Sequence, residues 1–240
     1  MSSITELKDV LKGALDFIGK EEDKKAPEVS KMNEEGNLYS LFGAQFLMSD
    51  DIYTLTEKEF THINRLEKKG RETTHVSSVD DYILEDPEMK GLKAFCQKWI
   101  DKYFYDVFCI EKDIKFYITQ SWCNFLNEHV DHHLHAHPNS IITGVFYVQT
   151  DGTPIEFYRG DILGSFPFHL SFSENNEWNS DSVHFNSETG KVTLFPSKLQ
   201  HSVGINHSRD TRISITFNTF VEGELGKRDA YTRLVLGRGR

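Results

Sequence analysis

At residue 114 the apolar spacing of this chain changes from a helical period to a period of two, and that change constrains the fold more than any other feature. Ile114, Phe116 and Ile118 alternate with Lys115, Tyr117 and Thr119. Further strand patterns follow at 142–149, 155–158, 183–186, 191–195 and 212–219. Asp151-Gly152 and Thr189-Gly190 supply turn signals between them. Short strands punctuated by turns predict a sandwich or jelly roll.

Upstream, the pattern is helical. Thr56-x-x-Glu59 reads as a capping box for a helix over about 57–69, with Phe60, Ile63 and Leu66 on its face and Gly70 as its stop. Asp86-Pro87 opens a second helix over about 87–107, whose broad stripe of Met89, Leu92, Phe95, Cys96, Trp99, Ile100 and Tyr103 should lie against a sheet. Residues 71–80 read as a loop, and 41–48 as a first strand. Ser3-x-x-Glu6 caps a helical series ending at Ile18, and a charged linker follows. The expected organisation is an N-terminal helix and linker over 1–37, a main domain over 38–220 and a tail over 221–240.

With 240 residues, 38% hydrophobic and 27% charged, the chain has the composition of a soluble globular protein. No apolar run reaches the roughly 18 residues of a membrane span. The N-terminus lacks the basic and apolar regions of a secretory leader. Cys96, Cys109 and Cys123 form no CxxC pair and are odd in number, which favours a reducing, cytoplasmic setting over a disulfide framework. The net charge of −10 disfavours non-specific nucleic-acid binding through the whole surface.

The chemistry concentrates in HVDHHLHAHPNSIITGVFYV, which begins at His129. Five of the eleven histidines fall between His129 and His137. In an extended strand Asp131, His133, His135 and His137 would share one face, and a row of neutral imidazoles can chelate a metal. His201 follows FPSKLQ further along. The last clear strand puts Ile213, Ile215 and Phe217 on one face and Arg212, Ser214, Thr216 and Asn218 on the other. In a jelly roll, strands distant in sequence lie side by side. His135, His137 and His201 could then hold one metal ion and leave open positions. Arg212 would meet an anionic co-substrate, with Ser214 adding a hydroxyl.

The ordered segments HAHPNSIITGVFYV, FPSKLQH and RISITFN resemble the 2-oxoglutarate- and Fe(II)-dependent oxygenase superfamily. Within it they are similar to a bacterial and phage oxygenase family carrying HxHPxSxxSGVYY, FPSxLxH and RISxSFN. The resemblance covers about residues 38–220. It implies a double-stranded β-helix (jelly roll), mainly β, with helices packed on one sheet. It further implies Fe(II), 2-oxoglutarate and O2 as cofactors, with ascorbate a further candidate, and hydroxylation of a substrate coupled to release of succinate and CO2.

Carried over by position, the resemblance makes His135 the first iron ligand and His201 the distal one. Arg212 and Ser214 take the far carboxylate of 2-oxoglutarate. Tyr147 stands where related prolyl hydroxylases bond that carboxylate. Trp122 and Asn124 border the pocket, and Asn124 is a further cofactor-binding candidate.

This chain departs from the superfamily's usual His-x-Asp…His triad, because His137 stands at the carboxylate position. Three readings stay open: His137 ligates, a carboxylate such as Asp131 or Glu156 completes the set, or water does. His133 with His135 is an alternative chelating pair. A three-His dioxygenase of the cupin kind, without 2-oxoglutarate, and a non-catalytic metal-binding jelly roll are the competing functions. The substrate class is open among protein side chains, nucleobases and small metabolites.

Overall fold

The computed structural model describes residues 29–32, 36–39, 43–70, 75–160, 171–174, 176 and 178–237. The N-terminal helix expected before Ile18 lies outside them. The chain divides into two compact units, Met1–Ala44 and Gln45–Arg240. In the first, β1 (Val29–Met32) pairs antiparallel with β2 (Gly36–Tyr39), inside and just beyond the stretch read as a linker.

The second unit begins with β3 (Leu47–Met48) and α1 (Glu57–Arg65). The capping box is formed: Thr56 Oγ1 accepts from the Glu59 amide, and the Glu59 carboxylate accepts from the Thr56 amide. Glu59 is buried and also accepts from Tyr53 Oη at 2.8 Å and the Leu92 amide at 3.0 Å, which ties α1 to the following helix. The helix stops at Leu66 rather than running on to Gly70. Lys68–Gly70 instead form β4, paired with β5 (Val76–Ser78) inside the stretch expected to be a loop. Pairing with neighbouring strands overrides the weak local signal there.

Pro87–Met89 make a single 3-10 turn after Asp86, which gives its side chain to His62 at 2.7 Å instead of capping. Helix α2 (Lys90–Asp101) follows and passes into a π-helical stretch, Lys102–Val107.

The β region contains β6 (Lys115–Leu126), β7 (His132–His135), β8 (Ile142–Gln149), β9 (Ile155–Tyr158) and β10 (Ser182–Phe185). It continues with β11 (Val192–Pro196), β12 (His201–Val203), β13 (Arg212–Leu225) and β14 (Leu234–Leu236). The larger sheet has the order β3-β11-β8-β13-β6-β5-β4, with β14 added on β13. The smaller has the order β10-β9-β12-β7. The neighbours are antiparallel throughout. The fold is mainly β, a jelly roll with helices on one sheet. Strand β13 is longer than its apolar alternation suggested, and β14 pairs its far end within the expected tail.

The alternation of the strands assigns their faces. Phe146, Leu194, Ile213, Ile215 and Phe217 join Leu92, Cys96, Trp99 and Ile100 of α2 in one buried cluster. The opposite faces contribute Val145, Tyr147 and Phe195, which pack on Ile155 and Phe157 of the smaller sheet. The helices therefore cover the outer face of the larger sheet. Between the sheets lies the space that the polar face of β13 enters. Gly144 on β8 sits under the Phe217 ring, so that any Cβ there would collide with it. Among the described residues no helix is long and apolar enough to cross a membrane.

Candidate metal centre

The three motif segments meet at one end of β8. Ser197 Oγ donates to Ser140 Oγ at 2.7 Å, and Ser140 Oγ accepts from the Thr219 amide at 3.1 Å. Ser197 Oγ also bonds Thr143 Oγ1 at 2.9 Å, and the His137 amide donates to the Ser197 carbonyl at 2.8 Å. Asn139 in the intervening turn takes a left-handed backbone, φ 58°, which asparagine tolerates. These bonds fix the short loop that carries His137 beyond the end of β7.

His135 and His201 are direct register partners on β7 and β12. Their ring centroids lie 4.3 Å apart, and the His137 ring lies 5.0 Å from His135 and 5.2 Å from His201. One nitrogen from each of the three falls within 4.8 Å of the others, a spacing that could hold one ion. The pairing of β7 and β12 is irregular between His201 and Val203. That bulge breaks strict alternation. As a result Asp131, His133, His135 and His137 do not share one face. His132, of the opposite parity, stacks on His135 at 4.4 Å and lines the same pocket.

Backbone carbonyls set the orientation of two rings. His135 Nδ1–H donates to the His133 carbonyl at 2.7 Å, and His201 Nδ1–H donates to the Leu199 carbonyl at 2.9 Å. In each ring Nε2 then keeps its lone pair, the arrangement that metal-binding imidazoles require. Burial, followed by the neighbouring rings, pulls His137 down to about 3. Burial likewise pulls His201 down to about 4 and lowers His135. The cluster is thus neutral and electron-donating at ordinary pH. His137 Nε2 is buried without a hydrogen-bond partner among the described residues, and a coordinated cation would satisfy it.

No carboxylate belongs to this cluster among the described residues. Glu156 is spoken for by Ser182 Oγ and Tyr158 Oη. Its register partner Ser202 lies on the same outer face of the smaller sheet. Asp131 is exposed and outside the cluster.

Arg212, Ser214 and Thr216 line the pocket from β13, and Trp122 and Asn124 line it from β6. Trp122 lies against the His137 ring, centroids 5.5 Å apart. Arg212 is 2% exposed; Nη1 donates to Ser214 Oγ at 3.2 Å, and Nε meets no acceptor among the described residues. Burial lowers its affinity for the proton, against the pull of Tyr147 and Asp151, yet a guanidinium in this range stays charged. A buried cation so poorly compensated is costly unless an anion meets it.

Tyr147 supports this cation from below, its ring centroid 5.4 Å from Arg212 Cζ. The Tyr147 hydroxyl pairs with Thr193 Oγ1 at 3.1 Å within the core. Asn124 is held at both ends: its amide donates to Thr216 Oγ1 at 2.9 Å, and its carbonyl accepts from His75 Nε2 at 2.7 Å. His75 was not legible as a site neighbour, because nothing in its local sequence announces that β5 pairs with β6.

The pocket thus combines neutral imidazoles that converge on a point with a buried guanidinium. Residues 120–218, which carry all three motifs, match the model of the family described as "Putative 2OG-Fe(II) oxygenase". The matched family is one of 2OG-Fe(II) oxygenases, the superfamily that the sequence resemblance implied. No protein of curated function matches the chain in sequence. Among solved structures it is similar to HygX of Streptomyces hygroscopicus, seen with nickel, 2-oxoglutarate and hygromycin B bound. The identity is 13%, over 73% of this chain and 82% of that one, with a TM-score of 0.50. It is also similar to a 2OG-Fe(II) oxygenase family oxidoreductase of Burkholderia pseudomallei, at 12% identity, 72% and 83% coverage and TM-score 0.48. A third likeness is to a Pseudomonas putida prolyl-4-hydroxylase, at 12% identity, 72% and 91% coverage and TM-score 0.45. At such identities the HygX likeness speaks for the fold alone.

Proposed function

We propose that this protein is a 2-oxoglutarate- and Fe(II)-dependent oxygenase whose iron is held by His135, His137 and His201. Arg212 and Ser214 receive the distal carboxylate of 2-oxoglutarate. The observation that carries the reading is the buried, under-compensated Arg212 beside three neutral imidazoles. A guanidinium there has no purpose in a three-His dioxygenase without an anionic co-substrate, or in a closed structural zinc site.

Bound to these imidazoles, iron with 2-oxoglutarate and O2 supplies an oxidation strong enough for an unactivated C–H bond, with loss of CO2 and formation of succinate. The chain's own share is positioning. The His133 and Leu199 carbonyls hold His135 and His201 in the ligating tautomer. The planar fork of Arg212, seated on Tyr147, fixes the co-substrate's far end through charge-assisted hydrogen bonds. Trp122 shields His137, and the chain Thr216–Asn124–His75 stiffens the pocket wall. With imidazole in place of the usual carboxylate, the site keeps the full dipositive charge of the metal, which favours a dianionic co-substrate. Hydroxylation is the proposed outcome.

The test is turnover without an added substrate. Purified protein given Fe(II), 2-oxoglutarate and O2 should release succinate slowly, and Arg212→Leu should release far less at the same 2-oxoglutarate concentration. Succinate formation that ignores Arg212, or no succinate under any condition, would count against the proposal.

A further inference from the structure

A second cluster of imidazoles lies outside the proposed iron position. His132, His133 and His135 each place one nitrogen within 4.8 Å of the others. The His132 ring lies 5.1 Å from His133 and 4.4 Å from His135, and the His133 ring lies 5.4 Å from His135. His75 stacks on the far side of His132, centroids 3.9 Å apart and planes within 11°. Adjacent residues of a regular strand point to opposite faces. The irregular pairing of β7 with β12 is what lets His132 and His133 approach the same ring. Neither His132 nor His133 has a side-chain hydrogen-bond partner among the described residues, so their lone pairs are uncommitted. His133 is exposed, so the cluster is open to ions from solvent.

We infer that His132, His133 and His135 form an outer site for a borderline divalent cation such as zinc, which competes with the proposed catalytic site for the His135 side chain. The competition follows from the His135 ring itself. Its Nδ1–H is committed to the His133 carbonyl, which leaves Nε2 as its one donor nitrogen. One lone pair cannot serve two ions, so inner and outer occupancy exclude each other. Imidazole ligands suit zinc and copper, and both bind nitrogen sites more tightly than Fe(II) does. The outer ion would withdraw an iron ligand and leave the pocket with His137 and His201 alone. Zinc at the outer site is therefore inhibitory. The inference rests on the proposed function only in naming the inner site as catalytic; the outer site is defined by its own residues.

The test uses zinc alone with full-length His137→Ala/His201→Ala protein, titrated against a chromophoric chelator. The doubly substituted chain should still hold one equivalent of zinc, and adding His133→Ala should weaken that binding at least about tenfold, since losing a ligand costs no less than the roughly 10–100-fold that losing a ligand's outer-shell partner costs. No competition for zinc by the double variant, or no change on adding His133→Ala, overturns the outer site. Should the double variant fail to fold, His133→Ala alone decides. It should need at least about tenfold more zinc to suppress succinate formation and to bleach the Fe(II)–2-oxoglutarate absorption, each referred to the variant's own zinc-free value; equal zinc sensitivity overturns the inference. A wild-type protein that lacked that absorption would instead sink the inner, catalytic reading and leave the zinc titration to stand by itself.

Discussion

His135 and His201 are register partners across β7 and β12, with ring centroids 4.3 Å apart and Nδ1 of each tied to a carbonyl two residues earlier in its own chain. Sheet pairing thus brings together two imidazoles far apart in sequence, and local hydrogen bonds leave the same nitrogen of each free. The third, His137, arrives by a loop pinned to Ser197.

That dependence on the loop predicts the effect of Ser197→Ala. Ser197 is fully buried and its hydroxyl links Ser140 and Thr143. Losing it removes two hydrogen bonds, while Ser140 Oγ keeps the Ile142 carbonyl and the Thr219 amide and Thr143 Oγ1 keeps Asn218 Oδ1, so the net cost is about 0.5–1.5 kcal/mol for each bond lost. Chemical denaturation should report that loss, and iron affinity should fall although no ligand is changed.

Arg212→Leu should separate function from stability. Each charged hydrogen bond to a co-substrate carboxylate is worth about 1.5–3 kcal/mol, so the KM for 2-oxoglutarate should rise at least about tenfold. The metal-free protein should not be destabilised, because the substitution removes a buried charge without a full set of partners. A scanning calorimetry trace with an unchanged or raised Tm, together with the raised KM, is the expected pair of results.

The covered outer face of the larger sheet depends on Gly144. Phe217 is fully buried over it. Gly144→Ala forces that ring aside in a packed core and should cost about 1–3 kcal/mol in a urea melt. Gly152, with open space where a Cβ would go but φ 102°, should respond through backbone strain alone.

Alkaline pH should weaken the helical layer. Burial, then Glu59, pushes the Tyr53 hydroxyl up to about 12, and burial pushes Tyr103 up to about 12. Both start from 10.0. Between these values the unfolded chain has lost protons that the folded chain retains. Stability is therefore complete below about pH 10 and falls as pH rises towards 12. Ultraviolet tyrosinate titration should show both ionising late, along with Tyr105 and Tyr147, which burial also raises, and the urea midpoint should drop across the same interval.

The three thiols should divide cleanly. Cys96 and Cys123 are fully buried and burial raises both, whereas Cys109 is exposed. A thiol reagent should titrate one group in native protein and all three after unfolding.

Much of this architecture was legible because its periodicities are strong. The alternation of Ile213, Ile215 and Phe217 with Arg212, Ser214 and Thr216 separates helix-facing from pocket-facing positions, and the structure keeps that division. The Thr56–Glu59 box and the 142–149 strand were equally plain. What local patterns could not carry is pairing between distant segments. Strand β5 looked like a loop because Val76–Ser78 gains its strand character from β4 and β6. His75 was invisible as a neighbour of Asn124 for the same reason. The one-face reading of the histidine row failed at the irregularity between the His135–His201 and His132–Val203 pairs, where parity no longer predicts direction. Glu156, one carboxylate the sequence offered as a ligand, instead bonds Tyr158 and Ser182, the latter a pairing with another strand that local pattern could not show.

The central claim is that three imidazoles and one guanidinium assemble a single iron and 2-oxoglutarate site. Anaerobic addition of Fe(II) and 2-oxoglutarate tests it most directly. The account predicts a visible charge-transfer absorption that saturates at one iron per chain and vanishes in His201→Ala. A featureless spectrum at saturating Fe(II) and 2-oxoglutarate, or an undiminished one in His201→Ala, would contradict it.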